Sequence, residues 1–268
     1  MVGFANAKIN IGLQIIGRRS DGYHLINTVM YPLKQLSDVV EIVPSRFTDI
    51  VLTGFELQVE PQQNLVFRAY ELLRQHFDLS PVTIYLHKNI PHGAGLGGGS
   101  SDAATVLKLL NDLFSLGLSI SQLENFARQL GADCAFFIKN KPAYARNIGD
   151  ELSEISLDLS RYNIVVVKPG FEISTAEAYS MVKPRQPGVD LRQAVALPVE
   201  RWKDLIFNDF EFFLFKKYPE LGRIKQDLYR LGALYASLSG SGSAVYGIFD
   251  KKIDLSQLDY AFVWQKFK

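Results

Sequence analysis

Three features of this 268-residue chain predict an α+β fold. Apolar residues alternate with period two in several short segments, other segments carry an apolar stripe at helical spacing, and the two kinds are mixed rather than strictly alternating. A doubly wound parallel sheet would require regular strand–helix alternation. The length fits one large domain or two modest ones, and an apolar fraction of 47% is enough for a sizeable core.

The first strand covers residues 7–16. Ile9, Ile11, Leu13 and Ile15 alternate with Lys8, Asn10, Gly12 and Gln14, the pattern of a half-buried strand. Lys8 and Asn10 then share the face away from the core, about 7 Å apart. The turn from Gly17 to Gly22 contains Asp21-Gly22, a hairpin-type pair, and the chain returns through 23–29. Further strands are expected at 39–43, 50–53 and 82–87. Asn64 suits the N-cap of a helix with Leu65, Ala69, Leu72, Leu73 and Phe77 on one face. A helix beginning near Ser100 would turn Ala103, Val106, Leu107, Leu110 and Leu113 inward. The next is bracketed by a capping box, Ser121 with Glu124, and by Gly131. Asp133 lies just past that helix, ahead of the apolar run 135–138, and a strand follows at 143–147.

Composition shifts over 151–161, which places a boundary between an N-terminal domain, 1–155, and a C-terminal domain, 156–268. Beyond it are expected a strand at 164–167, a short helix from Thr175, a proline-bearing loop at 184–187, helices at 202–217 and 220–231, and a strand at 244–249.

Charge and cysteine content narrow the function classes. Lys and Arg number 29 against 28 Asp and Glu, so no electrostatic footprint suggests nucleic acid or an anionic membrane as partner. A lone cysteine, Cys134, allows neither an intrachain disulfide nor a cysteine metal cage; it suits a small apolar filler, and His76 and His87 suit structural roles. The start, MVGFANAKINIG, does not read as a secretory signal. No run approaches the ~20 apolar residues of a membrane span. A cytoplasmic protein is expected.

The densest chemical signal is Pro91-His92-Gly93-Ala94-Gly95-Leu96-Gly97-Gly98-Gly99-Ser100-Ser101, between a strand and a helix. Glycine permits positive φ and lets backbone N–H groups approach an anion, and the helix start adds N–H groups and its positive dipole end. A P-loop requires Gly-Lys-Ser/Thr, and the lysine is missing here. Gly93, Gly95 and Gly98 match a dinucleotide fingerprint, but another helix follows where that motif expects a strand and an acid. Protein-kinase signatures are absent from the sequence.

With that loop, Ala7-Lys8-Ile9-Asn10-Ile11 and Leu238-Ser239-Gly240-Ser241-Gly242-Ser243-Ala244 complete three ordered motifs that resemble those of the GHMP kinase superfamily. Gly17 to His24, Gly131 to Phe137, and Lys168-Pro169-Gly170 extend the resemblance toward the branch whose acceptor is 4-diphosphocytidyl-2-C-methyl-D-erythritol, with departures at His92 and at Cys134-Ala135.

The resemblance implies a two-domain GHMP kinase architecture with the active site in an interdomain cleft, and ATP-dependent phosphorylation of the acceptor's 2-hydroxyl in non-mevalonate isoprenoid synthesis. Lys8 and Asp133 would be catalytic. Residues 91–101, with Asn64 and Lys88, would bind ATP. Asn10, Tyr23, His24, Thr175, Tyr179, Ser239, Gly240 and Ser241 would hold the cytidine diphosphate-linked methylerythritol. Mg²⁺ is expected to accompany ATP, although no carboxylate pair dedicated to it is visible. A monomer or weak homodimer is expected.

From the residues alone other readings stand. Asp133 fits a turn or cap, Lys8 a solvated strand lysine, Tyr23 and His24 hairpin flanks, Tyr179 a core aromatic, and 239–243 a linker. A kinase for another alcohol such as homoserine or mevalonate, or a catalytically silent nucleotide-binding protein, are the alternatives.

Overall fold

The computed structural model describes residues 1–56 and 63–266. In chain order the strands and helices are β1 (Val2–Arg18), β2 (His24–Pro44), β3 (Asp49–Gly54), α1 (Leu65–Arg74), β4 (Val82–Lys88), α2 (Gly98–Leu113), α3 (Ile120–Leu130), α4 (Cys134–Lys139), β5 (Ala143–Arg146), β6 (Glu151–Glu154), β7 (Asn163–Lys168), α5 (Thr175–Met181), α6 (Leu191–Ala194), α7 (Glu211–Lys217), α8 (Pro219–Arg230), β8 (Tyr235–Leu238), β9 (Val245–Phe249) and β10 (Phe262–Gln265). The fold is α+β, as expected.

Composition suggests one boundary near 155, whereas the chain forms two compact units that exchange segments. One holds Met1–Lys8, Pro32–His92 and Gly97–Lys141; the other holds Ile9–Tyr31, Gly93–Leu96 and Pro142–Lys268.

In the first unit β4 pairs antiparallel with β2 and parallel with β3, with Ile84 opposite both Ile42 and Ile50. Strand β4 buries Val82, Ile84 and Leu86 and exposes Tyr85 and His87, so its period is two. Lys88 continues the buried set. Helix α1 packs on α2 and α3, and α2 on α3 and α4. The Asn64 cap is as expected: its side chain accepts from the Val66 N–H. The buried stripe of α1 is Val66, Ala69, Tyr70 and Leu73 rather than the one starting at Leu65. The α3 capping box is Ser119 with Gln122, two residues ahead of the pair expected. The earlier pair prevails because it leaves Leu123, Glu124, Ala127 and Leu130 on the buried side.

In the second unit β7 lies between β10 and β9, and β9 also pairs with β8, all antiparallel. Helix α8 packs on β8 and β9, burying Leu221, Ile224 and Leu228 with Val165, Val167, Val245 and Phe249. Residues 143–145 of β5 pair with 28–30 of β2, and β6 pairs with β5, which draws 142–155 into this unit. The expected helix over 202–217 is instead a 3₁₀ turn, Val199–Asp204, and α7. The break falls at Asn208 and Asp209, whose side chains bond backbone elsewhere: Asn208 Nδ2 donates to the Leu238 and Gly240 carbonyls at 2.9 and 2.8 Å, and Asp209 accepts from the Ile15 N–H at 2.8 Å.

Strand β1 is buried on both faces: Lys8 and Asn10 are 3% and 2% exposed, so neither is a solvated strand residue. Among the described residues no helix is long and apolar enough to cross a membrane.

Candidate active site

In the first unit, Asp133 holds the N-cap position of α4 but makes no capping bond. Its Oδ2 lies 3.2 Å from Lys8 Nζ, with the lysine side chain 4% exposed and the aspartate 31%. Lys8 reaches this point from β1 alongside Gly97. A Cβ on Gly97 would sit 3.0 Å from Lys8 Cγ and Cε and 2.9 Å from Phe137 Cζ, and its φ of 71° is left-handed, so glycine is required twice over. Helix α2 begins there with no side-chain cap. Its first N–H groups, which no intrahelical carbonyl can take up, are left for an external acceptor. Of the predicted loop residues this unit contains Pro91, His92 and 97–101; Pro91 and Ser101 are buried and His92 and Gly99 exposed.

Asn64 and Lys88 belong to the same unit. Asn64 Nδ2 is buried and has no hydrogen-bond partner. The Lys88 ammonium is engaged by Asp38 and by Asp102, the latter at 2.6 Å, and all three side chains are at most 3% exposed. Burial alone would lower Lys88, but Asp102 and Asp38 together outweigh it and raise it. Burial pushes Asp102 well above the usual carboxylate range; Lys88 opposes this and Asp38 adds to it. Asp38 also accepts the Asn89 and Ile90 N–H groups at 2.6 and 2.7 Å, which fixes the turn leading into the loop. Burial raises the Cys134 thiol to about 12, in keeping with an apolar filler.

In the second unit the two glycine/serine loops are joined. Ser239 Oγ donates to the Gly95 carbonyl at 2.8 Å, and the Ser243 and Ala244 N–H groups donate to the Gly93 and Ala94 carbonyls, each at 3.1 Å. The approach is so close that a Cβ on Gly95 would lie 2.0 Å from the Ser239 carbonyl oxygen. The 239–243 segment is therefore a docked loop and not a linker. The Asn10 N–H donates to Ser239 Oγ at 3.3 Å, and Asn10 Nδ2 donates to Thr28 Oγ1 at 3.0 Å, whose own hydroxyl donates to the Gly12 carbonyl at 2.6 Å.

His24 stacks on Tyr179, ring centroids 4.9 Å apart, and Tyr179 meets Phe210 edge-on at 5.0 Å. Burial and the nearby Arg18 lower His24, favouring its neutral ring. Thr175 Oγ1 and Ser241 Oγ are 3.4 Å apart, and Tyr23 is 61% exposed. Lys168 of the Lys-Pro-Gly segment donates to the Pro169 and Phe171 carbonyls, each at 3.2 Å, and so shapes a turn.

Sequence reasoning missed Asp38, Asp102, Thr28 and Asn208. Only Asn208-Asp209, a polar pair inside an expected helix, left a local signal. Asp38 and Lys88 are 50 positions apart, and nothing short-range connects them.

The comparisons identify the family. Residues 64–141 match the GHMP kinases N terminal domain and 193–259 the GHMP kinases C terminal domain. A 4-diphosphocytidyl-2-C-methyl-D-erythritol kinase of Azobacteroides pseudotrichonymphae is 50% identical over 252 residues, 94% of each chain. The crystal structure of a 4-(cytidine 5'-diphospho)-2C-methyl-D-erythritol kinase is 34% identical, with a TM-score of 0.77 over 92% of this chain and 90% of the other. The Methanococcus jannaschii mevalonate kinase, at 14% identity and a TM-score of 0.68 over 93% of this chain and 90% of the other, shares the fold alone. With half its residues matched across nearly its whole length by such a relative, the chain belongs to the 4-diphosphocytidyl-2-C-methyl-D-erythritol kinases of the GHMP kinase superfamily.

Proposed function

We propose that this protein transfers the γ-phosphoryl group of ATP to the 2-hydroxyl of 4-diphosphocytidyl-2-C-methyl-D-erythritol, the step for which its family is named. The observation that carries the chemistry is the 3.2 Å pairing of Lys8 with an Asp133 that caps nothing and stays partly open to solvent.

Phosphoryl transfer requires in-line positioning and stabilisation of charge on the transferred group. The acceptor oxygen forms its bond to the γ-phosphorus as the bond to the bridging oxygen breaks and ADP leaves. Asp133 takes the hydroxyl proton, and the Lys8 ammonium orients the carboxylate and shares negative charge on the phosphoryl oxygens. Backbone amides between Gly93 and Ser101, with the uncapped start of α2, hold the phosphates, and Asn64 Nδ2 donates to the nucleotide. Asn10, Tyr23, His24, Thr175, Tyr179 and 239–241 hold the cytidylated acceptor. Aromatic faces such as Tyr179 suit a pyrimidine, at about 1–3 kcal/mol per stacked base.

Kinase chemistry implies Mg²⁺ with the ATP. Among the described residues no group of three or more His, Cys, Asp and Glu side chains could hold a metal. Mg²⁺ is usually held by one or two carboxylates together with substrate phosphates and water, and when bound it would supply charge neutralisation at the phosphates. A reducing cytoplasm is the proposed compartment.

The test measures ADP release with the cytidylated acceptor, mevalonate and homoserine in parallel. Turnover should be confined to the first. Activity with mevalonate or homoserine and none with the cytidylated compound would replace the acceptor; nucleotide binding without ADP release from any alcohol would identify a silent binder.

A further inference from the structure

Helix α4 lies beside β1 with Asp133 at one end and Asn140 at the other, and each end has its own tie to the strand. At the first end Lys8 meets Asp133. At the second, Asn140 Nδ2 donates to Asn6 Oδ1 at 2.6 Å and Asn6 Nδ2 donates back to Asn140 Oδ1 at 3.2 Å. Asn6 and Lys8 are two apart on β1 and so project to the same side. Asn6 is 5% exposed, and its Nδ2 also donates to the Ala7 carbonyl at 2.8 Å, so its amide has one fixed orientation. Asn140 ends α4 in a left-handed conformation, φ 54° and ψ 45°, which asparagine tolerates and most residues do not. A third tie, Lys108 Nζ to the Phe137 carbonyl at 3.2 Å, holds the middle of the helix to α2.

We infer that Asn6 and Asn140 are a positioning pair for Asp133, their reciprocal amide bonds setting where α4 lies along β1 and hence where its first residue meets Lys8. Neither amide is among the groups proposed above to hold nucleotide or acceptor, and the inference rests on the catalytic reading of Asp133. A six-residue helix is too short to hold its own place. A shift of about 1 Å in a reacting group can cost roughly 100-fold in rate.

The test compares the double variant Asn6→Ala/Asn140→Gly with the wild type in the full chain; glycine keeps the left-handed turn while removing the amide. Expected are a fall in kcat of about 10- to 100-fold, a KM for ATP within about twofold of wild type, and almost no further loss when the pair is combined with Asp133→Asn. Unchanged kcat, or a loss that multiplies equally in the wild-type and Asp133→Asn backgrounds, overturns the inference. If the double variant melts below the assay temperature, Asn140→Gly alone decides by the same criteria. Wild-type turnover by Asp133→Asn would instead remove the catalytic reading, and the inference with it.

Discussion

Lys8 with Asp133 and Lys88 with Asp38 and Asp102 are built from the same two side-chain types, in the same unit, beside consecutive glycines. A Cβ on Gly97 would touch Lys8, and one on Gly98 would lie 3.4 Å from Lys88 Nζ. What separates them is access. Asp133 is 31% exposed, so a hydroxyl can reach it, whereas Asp38 and Asp102 are 0% and 2% exposed and meet only groups of the protein interior, Lys88 foremost. A buried charge left without its partner is far costlier than an exposed one. The second cluster is therefore a fastener between β2, β4 and α2, and the first is suited to turnover.

Three substitutions would break or sharpen that contrast. The largest effect is expected from Lys88→Met, which strands two buried carboxylates and should lower unfolding free energy by about 3–5 kcal/mol in urea titrations. A loss below about 1 kcal/mol would mean that the cluster is not a fastener.

Asp133→Asn comes next, with turnover at least about 100-fold slower, or ~2.7 kcal/mol, and ATP binding nearly unchanged. Its urea midpoint should move little, because Asn keeps an acceptor for Lys8. Near-normal turnover would reduce Asp133 to a turn residue.

The smallest effect is a pH dependence. Asp102 has a raised value in the folded chain, so over the window from the ordinary carboxylate range up to that value the folded state holds a proton that the unfolded state releases. Its contribution to stability is thus present at low pH and lost as pH rises through the window. Asp102→Asn should flatten this part of the stability profile and leave Lys88 paired with Asp38; an unchanged slope would assign the proton elsewhere.

Much of this architecture was legible in the sequence because its signals are local. The alternation from Ile9 to Ile15, the Asn64 cap and the glycines at 93–99 each declare themselves within a few residues. Strand β2 was not legible as one element, since Lys34, Gln35, Ser37 and Asp38 interrupt its apolar pattern; Asp38 is nevertheless fully buried because it serves Lys88. The short strands β6, β8 and β10 span four residues each, too few for a period to register. Lys8 and Asp133 lie 125 positions apart (133 − 8) and no spacing rule connects them; only the resemblance joined them in advance. The Asn6–Asn140 pair, 134 positions apart, gave no signal at all.

The joining of the two glycine/serine loops has a consequence for how such proteins are compared. Coevolving positions betray spatial neighbours only when side chains vary together. Where the Ser239 carbonyl fills the space a Gly95 Cβ would need, and main-chain amides make the other links, no exchange of residues can compensate for another. Residue 95 would stay glycine whatever side chain stood opposite it, and correlated-mutation methods would pass over a close backbone contact.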